Sequence, residues 1–397
     1  MRVNILPSVG RGTLVAPPSK SAAHRAMIAA ALSDGCTVRG LGDSADMDAT
    51  RGCLAILGAA VEPKDGGLYL GGLDPHRIPE CTVDCGESGS TLRFLIPLCL
   101  VSGNTVTLKG HGRLMQRPLM EYARLCSERG FIFDLGWDSL RISGKLRGGE
   151  FRMDGSRSSQ FITGMLFVLP LLEEDSTLII EGEAQSLSYI DLTVQILREF
   201  GIRMTKKNNV YFIPGGQRYS ADVINVEGDW SNAAFPEALN VLGGSVEVTG
   251  LRADSTQGDK IYKSYFERLG KERLDLSDCP DLAPILFALS AVKGGSFCGC
   301  HRLRMKESDR IAAMQAELKK CGITLKAGKD TVEISPEGLH PPTEPIDSHN
   351  DHRIVMAMTV LLTSLGGSIE GAEAVGKSWR DFFTAMQTLG IEVEYAQ

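Results

Sequence analysis

The chain has 397 residues, 43% of them hydrophobic and 23% charged, with a formal net charge of -7. That length and composition exclude a disordered chain and a single small core, and point to two domains. The mildly acidic balance excludes a broad electrostatic grip on nucleic acid but leaves room for a local basic pocket that takes small anions.

The opening MRVNILPSVGRG holds no apolar run of signal-peptide length. The longest apolar stretches, such as FITGMLFVLPLL, are too short and too interrupted to span a bilayer. A cytosolic chain with no membrane partner is expected, its 10 cysteines reduced. Cys298 and Cys300 form C-x-C and Cys81 and Cys85 form C-x3-C, but neither is joined by a second pair at zinc-finger spacing. They read as small core residues.

The first predicted helix is PSKSAAHRAMIAAAL (18–32). A turn entering a strand follows in DGCTVRGL (34–41), and a helix end closed by Gly, then a short strand, in ILGAAVEP (56–63). This succession recurs along the chain. Helix 87–100 (ESGSTLRFLIPLCL) precedes strand 102–110 and helix end 128–134. Helix 156–171 (SRSSQFITGMLFVLPL) precedes strand 174–182 and helix end 199–204. Helix 229–242 (DWSNAAFPEALNVL) precedes strand 243–251 and helix end 268–274. Helix 278–292 (DCPDLAPILFALSAV) precedes strand 294–303 and helix end 320–325. Helix 350–365 (NDHRIVMAMTVLLTSL) precedes strand 366–375 and helix end 388–394. The period is about seventy residues, with one interval of about fifty near 270–322. Six units in a two-domain chain suggest three per domain.

Each apolar helix opens on Ser, Asp or Asn, residues that accept hydrogen bonds from free helix N–H groups. Each then turns almost wholly apolar, as a helix buried inside a domain should. Polar and charged side chains therefore concentrate at equivalent helix starts, where free N–H donors and the helix dipole favour anions. Lys20, Arg25, Arg93 and Arg353 add positive charge to them.

These motifs resemble the EPSP synthase (3-phosphoshikimate 1-carboxyvinyltransferase) family of enolpyruvyl transferases. The matching pieces run in order from Pro18 to about Phe383. They are SKSAAHR (19–25), SGSTLR (88–93), RLMQRPL (113–119), DGSRSSQF (154–161), YIDLT (189–193), MKESDR (305–310), NDHR (350–353) and GKSWRDF (376–382). The resemblance implies an α/β fold of two lobes, each of three βαβαββ repeats with the helices buried inside, and an active site in the cleft between them. It implies that residues 14–227 form one lobe and that 1–13 with 228–397 form the other. The implied reaction moves the enolpyruvyl group of phosphoenolpyruvate to the 5-hydroxyl of 3-phosphoshikimate and releases phosphate, in chorismate and aromatic amino-acid biosynthesis.

By the same resemblance, Lys20, Ser21 and Arg25 hold shikimate phosphate, with Lys20 also reaching phosphoenolpyruvate. Ser158, Ser159 and Gln160 match a phosphate cradle, Ser186 a further phosphate-binding Ser and Tyr189 a ring-packing Tyr. Gly89, Arg117, Gln160, Arg310, Arg353 and Lys377 match the phosphoenolpyruvate site, with Arg93 supporting its wall. Asp281 matches the base that takes the hydroxyl proton and Glu307 the acid that protonates the methylene carbon, a division of labour that the chemistry requires. Lys306 is expected to contact shikimate, Asp309 to orient neighbouring Arg side chains, and Asp46 and Asp48 to lie near the cleft. His352 has no assigned role.

Two departures from the family stand out. Arg302 occupies a position where many members have Asn, and Glu87 and Phe94 replace the common Asn and Pro of the glycine loop. A UDP-N-acetylglucosamine enolpyruvyl transferase would share the fold, but the loop 111–119 lacks the Cys typical of that enzyme. A noncatalytic repeat protein that binds phosphorylated ligands would not need Asp281 and Glu307. No metal or organic cofactor is expected, since the Lys and Arg side chains already supply positive charge; a monomer acting on small molecules is expected.

Overall fold

The computed structural model describes residues 1–182 and 185–396. The chain divides into two compact units, one of Pro18–Glu227 and the other of Met1–Pro17 with everything from Gly228 onward. Among the described residues, no helix is long and apolar enough to cross a membrane.

The unit Pro18–Glu227 carries α1 (Lys20–Ala31), α2 (Ala45–Ile56), α3 (Gly89–Cys99), α4 (Met120–Arg129), α5 (Ser159–Val168) and α6 (Leu187–Glu199). The apolar helices α1, α3 and α5 are buried along almost their whole length, as their composition requires. A helix end inside a protein leaves N–H donors that must be satisfied. The serine before each helix answers this: Ser19, Ser88 and Ser158 accept from Ala22, Thr91 and Gln160 N–H.

Sheets wrap these helices. In the second repeat Cys81–Asp84 runs parallel to Val106–Lys109, and an antiparallel hairpin of Ile132–Leu135 and Ser139–Ser143 completes four strands. The third repeat repeats this with Gly149–Asp154, Ser176–Glu181, Thr205–Lys207 and Val210–Ile213. The first repeat lacks a leading strand of its own. Val223–Asn225, from the far end of the unit, pairs parallel with Cys36–Arg39 and fills that place.

The other unit carries α7 (Trp230–Ala238), α8 (Tyr262–Arg268), α9 (Ala283–Lys293), α10 (Arg310–Lys320), α11 (His352–Leu365) and α12 (Phe382–Thr388). Its fifth repeat has the regular sheet, with Arg273–Asp275 parallel to Gly295–Cys298 and a hairpin beyond. In the sixth, the N-terminal strand Arg2–Ile5 stands between Gly367–Glu370 and Val393–Ala396, antiparallel to both. The fourth repeat has only Ser245–Thr249 parallel to Arg11–Val15. Its hairpin is missing: after α8 the chain turns at Gly270 into the first strand of the next sheet. That missing hairpin accounts for the short interval in the repeat.

Several boundaries differ from the sequence expectation. Helix 278–292 begins with a 3-10 turn, Pro280–Leu282, before α9. Helix 229–242 tightens to 3-10 over Leu239–Leu242, where the Asn240 side chain bonds both backbone groups of Val246 and Gly243 turns left-handed. No strand forms over 202–204, because Gln217 Oε1 takes the Arg203 N–H at 2.7 Å; the paired strand is Thr205–Lys207. Strands 294–303 and 366–375 stop at Cys298 and Glu370 and give way to 3-10 turns His301–Met305 and Ala372–Lys377. Those turns deliver Lys306 and Lys377.

The tightest helix contact is α3 against α5 at Gly164. A Cβ there would lie 2.6 Å from the Arg93 carbonyl oxygen and collide with the Tyr122 hydroxyl. That hydroxyl donates to the carbonyls of Arg93 at 2.7 Å and Phe161 at 3.1 Å, so it cannot move aside freely. Gly164→Ala is therefore expected to destabilise the chain by about 1–3 kcal/mol, read as a lower melting temperature; an unchanged melting temperature would contradict this packing.

Candidate functional site

Two polar clusters sit at helix starts, one in each unit. In the unit Pro18–Glu227 the centre is Arg25, on the second turn of α1 and 2% exposed. Its guanidinium donates to Thr193 Oγ1 at 2.8 Å, Ser21 O at 2.7 Å, Tyr189 O at 3.1 Å and Thr163 Oγ1 at 3.4 Å. These bonds tie α1 to α5 and α6. Every one of these acceptors is neutral, and one N–H on Nη1 lies outside the set. Burial pulls the Arg25 guanidinium down to about 10, with Tyr189 opposing, so it stays charged at neutral pH. A buried cation whose described partners carry no negative charge is costly to fold and suited to an anionic ligand.

Lys20 opens α1 and donates to Asp46 Oδ2 at 2.9 Å, with both side chains less than a fifth exposed. Asp46 stands in the first turn of α2, whose N-cap is Ser44. Asp48, by contrast, pairs outward with Arg51 at 2.8 Å. Ser158 caps α5, and Ser159 is buried in its first turn. Ser186 precedes α6 in a left-handed conformation, φ 55°, and is 2% exposed. The Arg25 carbon Cζ lies 5.2 Å from the centre of the Phe94 ring and 6.0 Å from that of the Tyr189 ring. Phe94 is thus the floor under Arg25.

Arg93 does not point to open space. It donates to Gln160 Oε1 at 2.7 Å and Pro118 O at 3.0 Å, and Gln160 donates onward to Ser90 Oγ at 2.9 Å. So Arg93 fixes Gln160 and the loop that carries Arg117. Gly89 is required there by close approach: a Cβ on it would meet Arg117 Nη1 at 2.5 Å and Cζ at 2.8 Å. Outside the helix backbone and its chain neighbours, the three atoms nearest that Cβ position all belong to this guanidinium. Glu87 lies against the same loop, its Oε2 2.8 Å from where a Gly112 Cβ would stand.

A further chain of hydrogen bonds was not foreseen. His24 Nδ1 meets Thr50 Oγ1 at 2.8 Å, Thr50 meets Thr91 at 2.6 Å, and Thr91 donates to Ser88 Oγ at 2.7 Å. It joins α1, α2 and the start of α3. Burial holds the His24 imidazole down to about 3, against the pull of Asp46, so it is neutral and acts as structure.

In the other unit the hub is Arg310, which opens α10 and is 1% exposed. It donates to Asp281 Oδ1 at 2.8 Å, Glu307 Oε2 at 3.0 Å and Asp351 Oδ2 at 2.9 Å. Asp351 also accepts from Ser308 at 3.0 Å and caps α11 through the Arg353 N–H at 2.9 Å. Arg353 reaches Ser231 Oγ at 2.8 Å and Asp281 Oδ2 at 3.4 Å, and Lys306 Nζ lies 3.3 Å from Asp281 Oδ1. Asp281 lies in the 3-10 turn ahead of α9 and faces three cations. Burial would push its pKa up, but Lys306, Arg353 and Arg310 together hold it well below the usual carboxylate range. Burial and the neighbouring Arg310 and Arg302 lower Lys306, against the pull of Asp281. Arg302 is itself only 8% exposed.

Asp309 caps α10 through Ala312 N–H at 3.0 Å and takes Arg304 Nη1 at 3.4 Å. His352 is buried, with Nδ1 3.9 Å from Asp351 Oδ1. Lys377 donates to Asn350 O at 2.8 Å. The sequence did not single out Asp351, because its partners lie 41 and 43 residues away.

The chain matches the family described as EPSP synthase (3-phosphoshikimate 1-carboxyvinyltransferase) over residues 7–274 and 263–386. It is 36% identical to the 3-phosphoshikimate 1-carboxyvinyltransferase of Clostridium kluyveri, covering 99% of this chain and 98% of that one. It is 35% identical to the enzyme of the same name from Clostridioides difficile, covering 99% and 98%. The EPSP synthase of Acinetobacter baumannii shares the fold at a TM-score of 0.80 and 24% identity, with both chains covered in full. The enolpyruvyl transferase NikO of Streptomyces tendae shares it at a TM-score of 0.76 and 13% identity, covering 100% of this chain and 98% of that one.

Breaking a buried ion cluster by removing its hub costs more than the pairs themselves contribute, because carboxylates are left uncompensated. Arg310→Lys cannot bridge Asp281, Glu307 and Asp351 at once and is expected to destabilise the chain by about 3–5 kcal/mol. Thermal unfolding checks this; a melting temperature equal to that of the parent would contradict the role of Arg310 as hub. Because Asp281 and Asp351 are held below their ordinary value of 3.8, their contribution to stability is complete above that value and lost as pH falls through their folded values.

Proposed function

The chain belongs to the EPSP synthase family, and from that premise we propose how its two clusters divide the work. The reaction is transfer of the enolpyruvyl group of phosphoenolpyruvate to the 5-hydroxyl of 3-phosphoshikimate, with release of phosphate, in aromatic amino-acid biosynthesis. The observation that carries the proposed division is the contrast in charge: Arg25 is buried among neutral acceptors, whereas Arg310, Arg353 and Lys306 already face carboxylates.

In this proposal Ser21, Arg25, Ser158, Ser159 and Ser186 receive the phosphate of 3-phosphoshikimate, with Tyr189 lining the ring. Lys20 leaves Asp46 to meet substrate. Gln160, Gly89, Arg117, Arg353 and Lys377 serve phosphoenolpyruvate. Arg310, whose Nη2 also reaches Asp351 Oδ1 at 3.4 Å, contributes the one N–H outside these four carboxylate bonds and holds Asp281 and Glu307 in place.

Asp281 is ionised and therefore able to accept a proton, but three cations make it a weak base. Substrate anions that draw Arg353 and Lys306 away raise its basicity when the hydroxyl arrives. Asp281 then takes the proton of the 5-hydroxyl as that oxygen attacks carbon 2 of phosphoenolpyruvate, and Glu307, entering this step as the protonated acid, gives its proton to the methylene carbon. The Glu307 carboxylate so formed takes a proton back from the new methyl group, and phosphate leaves with the electrons of its bond to carbon 2, which restores the double bond. Arg302 adds positive charge near Lys306. A cytosolic monomer fits this reading.

Purified chain with both substrates is expected to release inorganic phosphate, and to release none when 3-phosphoshikimate is omitted or replaced by UDP-N-acetylglucosamine. Silence with the full mixture overturns the assignment of this activity. Asp281→Asn is expected to lower kcat by about 10²–10⁴-fold while calorimetry still detects binding of both substrates. Equal loss of binding would make Asp281 a positioning residue instead.

A further inference from the structure

A left-handed corner precedes α11. His349 and Asn350 both have positive φ, 49° and 53°. Asn and His each tolerate that conformation singly, but two such residues in succession are costly and persist where their surroundings hold them. The corner ends at Asp351, the cap of α11 and partner of Arg310. Its second carbonyl, Asn350 O, accepts from Lys377 Nζ at 2.8 Å.

What holds the corner comes from α10. Glu317, its side chain 2% exposed, accepts from His349 Nε2 at 2.8 Å, from the Asp347 N–H at 2.9 Å and from Lys320 Nζ at 2.7 Å. Ser348 Oγ accepts the Asn350 N–H at 3.1 Å, and Ser348 O the Asp351 N–H at 2.9 Å. The buried carboxylate therefore grips both the chain entering the corner and the first side chain within it.

We propose that Glu317 and His349 are positioning residues that hold this corner in its left-handed course, and thereby seat Lys377 and the start of α11 for phosphoenolpyruvate. The inference rests on the functional reading above for the substrate, and on geometry for the corner. The charged groups facing His349 are Glu317 and Lys320 on α10 and Asp347 on its own segment. The Glu317 hydrogen bond raises the imidazole above its ordinary 6.5, with burial opposing and Asp347 assisting. The contribution of the protonated pair is complete below 6.5 and is lost as pH rises through the raised value. Seating of phosphoenolpyruvate weakens in that direction.

The test combines a titration with kinetics. The His349 imidazole resonance, identified by its absence from His349→Gln, is followed by NMR in the intact chain and in Glu317→Gln. The expected midpoint lies above 6.5 in the parent and falls in Glu317→Gln. His349→Ala and Glu317→Gln are expected to raise the KM for phosphoenolpyruvate by roughly tenfold with little change in kcat or in the KM for 3-phosphoshikimate. His349→Gln, which keeps a donor without a titrating charge, is expected to restore most of that KM and to abolish its rise with pH. A parent midpoint at or below 6.5, or KM values for both substrates that move together, overturns the proposal. The NMR result does not depend on turnover, and parent activity is the control, so failure of this inference and failure of the functional reading are told apart.

Discussion

The constraint on which the rest depends is that a helix buried on every side carries its charge near its start, within the first two turns. Beyond those turns, α1, α3, α5, α9 and α11 are almost wholly apolar and buried. Their starts must satisfy free N–H groups without water, so they gather Ser, Thr and Asp. Once those groups are gathered they bond to one another. Thr163, Thr193 and Arg25 link three starts, and Thr50, Thr91 and Ser88 link α2 to α3. In each unit the functional cluster and the network that terminates the buried helices are one set of residues.

The two clusters resolve the cost of buried charge differently. In the second unit Arg310 is neutralised by carboxylates, which stabilises the fold and leaves the cluster close to balance. Among the described residues, the hydrogen-bond partners of Arg25 are hydroxyls and carbonyls. That unbalanced positive charge is what an anionic substrate can complete. The balanced cluster suits proton transfer, because small displacements of its cations change the basicity of Asp281.

Much of this was legible in the sequence. The six apolar helices, their polar starts and the Gly-closed helix ends are local patterns, and the fold of the family follows their order. What was not legible depends on distant partners. Nothing local marks Val223–Asn225 as the strand that completes the sheet of the first repeat, or Arg2–Ile5 as a strand of the last. The short interval was visible, but not that a hairpin had been lost. Asp351 and Glu317 read as ordinary acidic residues until Arg310 and His349 are brought beside them. The contacts of Arg93 with Gln160 and of Gly89 with Arg117 join distant parts of the chain and needed coordinates.

The central claim is that the uncompensated charge at Arg25 and the adjoining serine starts takes the phosphate of 3-phosphoshikimate. A crystal structure with that substrate bound tests it most directly. The expected result is phosphate oxygens within about 3 Å of Ser158, Ser159, Ser186 and Arg25. Phosphate seated instead on the Arg310 cluster, or Arg25 bonded to none of it, would contradict the account.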